Sequence, residues 1–451
     1  MPRLFGTSGI RGDILTKVTP ELALKFGQSL ATYLGNAGKV MVGHDNRTSS
    51  KLIEAAVTSG LVYGGCDAAL IGLVPVPVLA FQTRERRMSA GIMITASHNP
   101  PTDNGLKCFD NEGMEYTTAE EEDLEHIIMT EKYRGVSWDR LGNMTEIYNA
   151  KEEYMRAILE KLSTLQKRIR VAVDCANGAT FDVTPTLLRR MGCAVIAIND
   201  YPDGFFPGRP LEPSPENLQV LSEAVREMHA DIGIAHDGDG DRIAIVDEEG
   251  RFVLNDRIIA LFAMKALEEH KGGHIITSVD TSFCIDEVVE KFGGTAERTK
   301  LGKTHTGLRE RKGVVMAAEP WKIIDPSWGS WGDGIYTAAR IIKMLDESCK
   351  TTTQLFAEVP SYPQFRTFFA CAEEQKVKVM ELVKSEAVKD KNVTDVWTYD
   401  GVRINYDDGS WILLRPSGTE PKVRLYAEGR TEQRLWELME RGRELIKRAL
   451  A

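Results

Sequence analysis

Asp231-Ile-Gly-Ile-Ala-His-Asp-Gly-Asp-Gly-Asp-Arg-Ile-Ala-Ile-Val-Asp247 is the stretch from which the fold class follows. Residues 231–235 read as a short buried strand and 243–247 as another, with an acidic, glycine-rich loop between them. Just upstream, apolar residues at helical spacing over 217–229 predict a helix. The same order recurs on both sides. Residues 39–43, 91–95, 170–174 and 274–278 read as buried strands; 20–34 behind a Thr19 cap, 50–63 and 255–269 read as helices. Such alternation predicts mainly parallel sheets covered by helices on both faces. It fails near residue 360. Beyond that point, strands at 393–398, 402–406, 411–415 and 423–427 precede a long helix over 432–450. Loop-like stretches at 134–150 and 247–255 separate the earlier units. The expected architecture is therefore three α/β domains with mixed, mainly parallel sheets, over 1–150, 151–249 and 250–362, and a smaller C-terminal α+β domain over 363–451.

A chain of 451 residues is too long for one hydrophobic core. Its 56 Lys and Arg against 66 Asp and Glu leave a formal charge of −10, which argues against nucleic acid or an anionic membrane as the main partner. Any phosphate site must be a local basic pocket. No stretch approaches 18 uninterrupted apolar residues, and the first residues show no signal-like apolar run. The seven cysteines are scattered without a Cys-x-x-Cys pair, as expected of reduced thiols in a cytoplasmic protein.

Four constellations carry chemistry. In the loop 236–242, Asp237, Asp239 and Asp241 fall at i, i+2 and i+4, and the intervening glycines allow the backbone to curl so that the carboxylates converge on one hard cation. Without a cation they would repel strongly. An EF-hand is a poor match, because Arg242 stands at the sixth loop position where glycine is required, and a strand follows the loop. A solvated acidic turn is the remaining alternative to a magnesium site. The second constellation, Thr95-Ala-Ser-His-Asn-Pro100, follows a buried strand, where open α/β sheets place ligands. Pro100 and Pro101 force an extended loop that would hold Ser97 exposed. By itself the hexapeptide fits an ordinary turn equally well, and no Gly-x-Ser-x-Gly elbow surrounds the serine.

The third, Arg415-Pro-Ser-Gly-Thr-Glu-Pro-Lys-Val-Arg424, collects Arg415, Lys422 and Arg424 with the hydroxyls and backbone N–H groups of Ser417, Gly418 and Thr419. It reads as a nest for a phosphate dianion or as a charged hairpin turn. It lacks a nucleotide P-loop pattern, so no nucleotide cofactor is expected. The fourth joins Phe5-Gly-Thr-Ser-Gly-Ile-Arg-Gly12 with Asp45-Asn-Arg-Thr-Ser-Ser50, either of which could bring an arginine to anionic substrate groups. Lys107, ten residues after Ser97, is a candidate general acid or base if buried and a solvated lysine if not.

Taken in order, Gly6-Thr-Ser-Gly-Ile-Arg11, the Ser97 loop, Asn104-Gly-Leu-Lys107, the Asp237–Asp241 loop and Arg415-Pro-Ser-Gly-Thr-Glu-Pro421 resemble the α-D-phosphohexomutase superfamily over essentially the whole chain. The resemblance implies four domains around a central cleft. It implies that Ser97 is carried as a phosphoserine and that one Mg²⁺ per chain is held by Ser97, Asp237, Asp239 and Asp241. It also implies two phosphoryl transfers through a hexose 1,6-bisphosphate, which serves as intermediate and activator. Lys107 and His98 would handle the hydroxyl proton, with Arg11 and Arg242 supporting phosphate and metal. Arg415, Ser417, Gly418, Thr419 and Arg424 would hold the phosphate that is not reacting.

One segment departs from the superfamily's sugar-reading loop, which usually runs Gly-Glu, a polar residue, then Ser-Gly-His. This chain has Ala317-Ala-Glu-Pro-Trp-Lys322. Glu319 keeps a carboxylate for sugar hydroxyls, Lys303 stands nearby in sequence where some relatives carry an acid, and Trp328, Trp331 and Asp333-Gly334 are candidates to rebuild part of the pocket. The expected activity is a phosphosugar mutase, with glucosamine 6-phosphate to glucosamine 1-phosphate the best single assignment. Phosphomannomutase, phosphoglucomutase and phosphopentomutase activities share its mechanism. A magnesium-dependent sugar phosphatase and a non-catalytic phosphosugar sensor are the competing classes. The expected partner is the small phosphosugar alone, on a monomer or homodimer.

Overall fold

In the computed structural model, Lys39–His44 is the axis of a six-stranded sheet, flanked in parallel by Asp67–Leu73 and Ala90–Ile94. Residues 4–418 and 421–450 are described. They divide into two units, Met1–Asn255 with Trp321–Ala357 and Asp256–Pro320 with Glu358–Ala451.

Within the first unit, Ala90–Ile94 is buried at every position, as befits a central strand covered on both faces. Beyond it the sheet turns antiparallel, through Asp103–Phe109 and then Ile10–Asp13. The helix Pro20–Tyr33 begins where its sequence says it should: the Thr19 hydroxyl accepts from Leu22 N, and proline occupies the first turn. This helix crosses Ser50–Tyr63 at two glycines. A Cβ added at Gly27 would lie 2.2 Å from the Val57 carbonyl oxygen, and one at Gly60 2.3 Å from that of Leu24. The segment 134–150, read as a linker, contributes Met144–Glu146 to the sheet edge, parallel to Asp67–Leu73. Three exposed residues are too few to show a periodicity.

A five-stranded sheet follows, in the order Phe252–Val253, Ala244–Asp247, Ile232–Ala235, Arg170–Asp174, Ala194–Ile198. The last three strands are mutually parallel, and Ala244–Asp247 runs antiparallel to Ile232–Ala235 with Ala235 opposite Ala244. The acidic loop is thus the turn of a buried hairpin, at the carboxyl end of a parallel strand.

In the second unit, His274–Ser278 lies between Thr295–Thr299 and Val314–Glu319, parallel to both. A five-stranded antiparallel sheet completes it, ordered Gln364–Ala370, Lys422–Glu428, Trp411–Pro416, Val402–Tyr406, Val393–Trp397. Val402, Ile404, Ile412, Leu414 and Leu425 from alternate strand positions form one core with Leu438, Met439 and Leu445 of the final helix, Glu432–Leu450. The mixed, mainly parallel sheets and the α+β C-terminal region agree with the expected fold class. No helix among the described residues is long and apolar enough to cross a membrane.

Candidate active site

The strand Ala90–Ile94 delivers the serine loop. Ser97 is not held exposed as its prolines suggested: it is 1% exposed and adopts φ of 52°, the left-handed region that non-glycine residues enter only when their surroundings hold them there. Two groups do so. The Thr95 hydroxyl accepts from Ser97 N at 2.9 Å. The Arg47 guanidinium, buried and paired with Asp45 at 3.0 Å, donates to the carbonyls of Ser97 (3.0 Å), Asn99 (2.8 Å), Asp103 (2.9 Å) and Pro100. The expectation that the 45–50 motif brings an arginine to substrate is therefore corrected: Arg47 is spent on backbone carbonyls and shapes the loop.

Asp237, Asp239 and Asp241 are all buried, with ligand oxygens within 4.8 Å of one another. Their loop is fastened by its own backbone: Val76 N donates to the Asp239 carbonyl at 2.8 Å, and Ala179 N to that of Gly238 at 2.9 Å. Gly238 is required here, since a Cβ would stand 2.6 Å from the Ser97 carbonyl oxygen. The serine and acidic loops meet directly, with Ser97 Oγ donating to Asp237 Oδ2 at 2.7 Å. Thr95 Oγ1 donates to Asp239 Oδ2 at 3.2 Å.

Lys107 is 1% exposed. It sits on Asp103–Phe109 opposite Met93, and its Nζ reaches Asp239 Oδ2 at 2.8 Å and Asp241 Oδ2 at 3.2 Å. The condition set for its role, burial, is met. Arg242 places Nε 3.8 Å from Asp237 Oδ2 and pairs with Glu212. Arg11 lies opposite Gly105 in the sheet, with its Nε buried and unpartnered among the described residues. His98 Nδ1 is 3.3 Å from Ser97 Oγ. Desolvation, then Arg242 and Arg11, push its imidazole well below the usual range, so it stays neutral.

Burial, followed by the charges of Asp239 and Asp241, raises the Asp237 carboxyl well above the usual carboxylate range. Burial also pushes Asp241 upward, but Lys107, Lys322 and Arg242 outweigh it and hold that carboxyl below its ordinary value. The buried Oδ1 atoms of Asp239 and Asp241 have no hydrogen-bond partner among the described residues. Unsatisfied, convergent hard oxygens beside a serine hydroxyl are a donor set that fits a divalent cation such as Mg²⁺.

Within the second unit, Arg415 and Arg424 are register partners on adjacent strands, and Ser417 N donates to the Lys422 carbonyl at 3.0 Å to close their turn. At Gly418 an added Cβ would meet only open space. Thr419 lies outside the described residues. Lys376 Nζ donates to the Ser417 carbonyl at 2.5 Å, a support that sequence reading missed. Asp400, also missed, accepts from Arg415 Nε at 2.8 Å and from Leu301 N at 3.0 Å, tying the basic hairpin to the loop that holds Lys303. Glu319 accepts from Gly302 N in that loop at 2.6 Å.

The departing segment divides in its roles. The Trp321 ring packs against Phe252, centroids 6.0 Å apart, and its carbonyl accepts from Ile243 N. Trp328 and Trp331 are buried, and both indole N–H groups donate to Asp333, as does the Tyr154 hydroxyl. These tryptophans therefore belong to the interior and rebuild no sugar pocket. Lys322 instead reaches the triad, at 2.7 Å from Asp241 Oδ2.

Four family models match the chain in order. They are described as phosphoglucomutase/phosphomannomutase alpha/beta/alpha domain I over residues 2–135, domain II over 152–250, domain III over 255–362, and the C-terminal domain over 369–445. The chain belongs to the phosphoglucomutase/phosphomannomutase family. Within this family's domains, Ser97 and Lys107 fall in domain I, the aspartate triad in domain II, Lys303 and Glu319 in domain III, and Arg415 and Arg424 in the C-terminal domain. A protein named phosphopentomutase from Thermococcus kodakarensis is 43% identical over 99% of this chain and 98% of its own. One named probable phosphoglucosamine mutase from Methanothermobacter thermautotrophicus is 42% identical over 100% and 99%. The crystal structure of a phosphoglucomutase/phosphomannomutase family protein from Burkholderia thailandensis superimposes with a TM-score of 0.89 at 27% identity, covering 99% of this chain and 97% of that one.

Proposed function

We propose that this family member is a phosphosugar mutase, an isomerase-class phosphotransferase that works through Ser97. The observation that carries the reading is the 2.7 Å bond from Ser97 Oγ to Asp237 at the centre of three converging carboxylates. Asp237, Asp239 and Asp241, with the oxygen of Ser97, would hold Mg²⁺, which when bound spreads the charge that builds on a transferring phosphoryl group.

Ser97 carries the phosphoryl group and passes it to the free hydroxyl of a sugar monophosphate. The Oγ–P bond breaks, the new sugar O–P bond forms, and the hydroxyl proton goes to a nearby base. His98, 3.3 Å from Oγ, and Lys107, beside the reacting atoms, are the groups placed to handle that proton. The bisphosphate then turns, and its other phosphate returns to Ser97. Arg415, Ser417, Gly418 and Arg424 hold the phosphate that is not reacting, Arg11 and Arg242 support the reacting one, and Glu319 and Lys303 read the sugar.

Glucosamine 6-phosphate is the assigned substrate and glucosamine 1-phosphate the product. A pentose phosphate is the second reading, favoured by the 43% identity to the Thermococcus protein named phosphopentomutase. The seven free cysteines, six of them buried, fit a cytoplasmic setting. A coupled assay across glucosamine, glucose, mannose and ribose phosphates, each with a trace of its bisphosphate, tests the proposal. Isomer formation fastest with glucosamine phosphate supports it; release of inorganic phosphate without isomer would make the chain a phosphatase.

A further inference from the structure

The acidic triad has a counterion that comes from neither its own loop nor the serine loop. Lys322 Nζ lies 2.7 Å from Asp241 Oδ2 and 3.6 Å from Glu115 Oε1, with its side chain 11% exposed. With Lys107 on Asp239 and Asp241 and Arg242 beside Asp237, three carboxylates face three cations. Two of these cations also pair outside the triad, Lys322 with Glu115 and Arg242 with Glu212. A divalent ion adds two positive charges and a phosphoserine removes roughly two, so the site keeps its net charge only if both join.

The two arrivals strain one contact in particular. Asp241 Oδ2 is already covered by two ammonium groups, whereas its Oδ1 has no hydrogen-bond partner among the described residues. An ammonium held that close to a ligand oxygen opposes a divalent ion approaching the same carboxylate, because like charges in a buried site repel strongly. Lys107 is anchored by a second triad carboxylate, Asp239, at 2.8 Å. The second carboxylate of Lys322, Glu115, lies outside the triad. Its long, flexible stem lets the ammonium shift by a few ångström.

We propose that Lys322 is the exchangeable counterion of this site: it neutralises Asp241 while metal and phosphoryl group are absent, and binds phosphoryl oxygens once they arrive. This rests on the reading of the triad as metal ligands, and the position lies in the segment that departs from the superfamily's sugar-reading pattern. The role is that of a binding and specificity-setting residue for phosphorylated ligands.

The test measures two affinities on the full-length, dephosphorylated protein: Mn²⁺ by electron paramagnetic resonance, and glucose 1,6-bisphosphate to the Mg²⁺-saturated protein by calorimetry. Lys322→Gln should bind Mn²⁺ about 10-fold more tightly and the bisphosphate about 10-fold more weakly, since one cation has been removed from both competitions. Lys322→Arg should stay near the wild type in both. A residue that merely supports the fold would move both affinities the same way. Unchanged or weaker Mn²⁺ binding by Lys322→Gln, with a functioning site in the wild type, overturns the counterion role alone. Failure of the wild type to bind Mn²⁺, matched by Asp239→Asn, overturns the metal reading itself. Should Lys322→Gln fold poorly, Lys322→Met carries the same expectation.

Discussion

Ser97 Oγ and Asp237 Oδ2 are joined by a 2.7 Å hydrogen bond although 140 residues separate them in the chain. Each stands at the end of a buried parallel strand, Ala90–Ile94 and Ile232–Ala235, in two different sheets of the first unit. The proposed nucleophile and the proposed cation ligands are thus presented by two rigid elements, and the hydrogen bond marks where a metal would join them.

Replacing the proposed nucleophile should separate chemistry from binding. Ser97→Ala should reduce isomer formation by at least ~10³-fold at saturating substrate, because the oxygen proposed to carry the phosphoryl group is removed. Ser417→Ala should raise KM several-fold and leave kcat within about twofold, as expected for a group that only binds a remote phosphate. Steady-state kinetics of the two variants with the best substrate checks both.

Divalent ions should control both stability and turnover. Chelation should abolish isomer formation, and Mg²⁺ at ~100 times its Kd should stabilise the folded protein by about 2.7 kcal/mol, seen as a rise in Tm of several degrees. Asp241→Asn should lose that rise. Differential scanning calorimetry with and without Mg²⁺ measures it.

Arg47 should matter for the fold as well as for the serine loop it shapes. Arg47→Ala strips four loop carbonyls of their donor and leaves Asp45 buried without its cation. A cost of about 3–5 kcal/mol is expected in chemical denaturation, together with loss of turnover. Arg47→Lys should recover only part of either, since one ammonium cannot serve a guanidinium's fan of acceptors.

Acid should weaken the first unit. Burial lowers the His236 imidazole to about 4, and its two nitrogens face Thr184 Oγ1 and the Arg242 carbonyl. Between pH 4 and 6.5 the unfolded chain binds the proton and the folded one does not, so stability falls as pH drops through that window. The loss approaches ~3 kcal/mol at pH 4. His236→Gln should flatten that part of the profile in pH-dependent denaturation.

The Asp237–Asp241 spacing, the strand before Ser97 and the basic run from Arg415 were legible because each is local: glycines, alternation and charge lie within a dozen residues. The sheet order was not. Met144–Glu146 escaped because three exposed residues carry no period, and the antiparallel strand Asp103–Phe109 because its polar start reads as loop. Arg47 looked like a substrate group, since a sequence does not show that an arginine's acceptors are backbone carbonyls half a domain away. Trp328 and Trp331 looked like pocket walls until Asp333 was found to take both indole N–H groups.

By itself, then, the sequence determined which residue types could do chemistry and which segments would carry them, because propensity, turn chemistry and charge act over short distances. Only the tertiary structure decided which of those groups face one another. Lys322 on Asp241, Asp400 on Arg415 and Lys376 on the Ser417 carbonyl are contacts between separate segments, 15 residues apart for Asp400 and Arg415 and 41 for Lys376 and Ser417. The pairing of buried charges depends on the packing of whole sheets, and no local pattern encodes it.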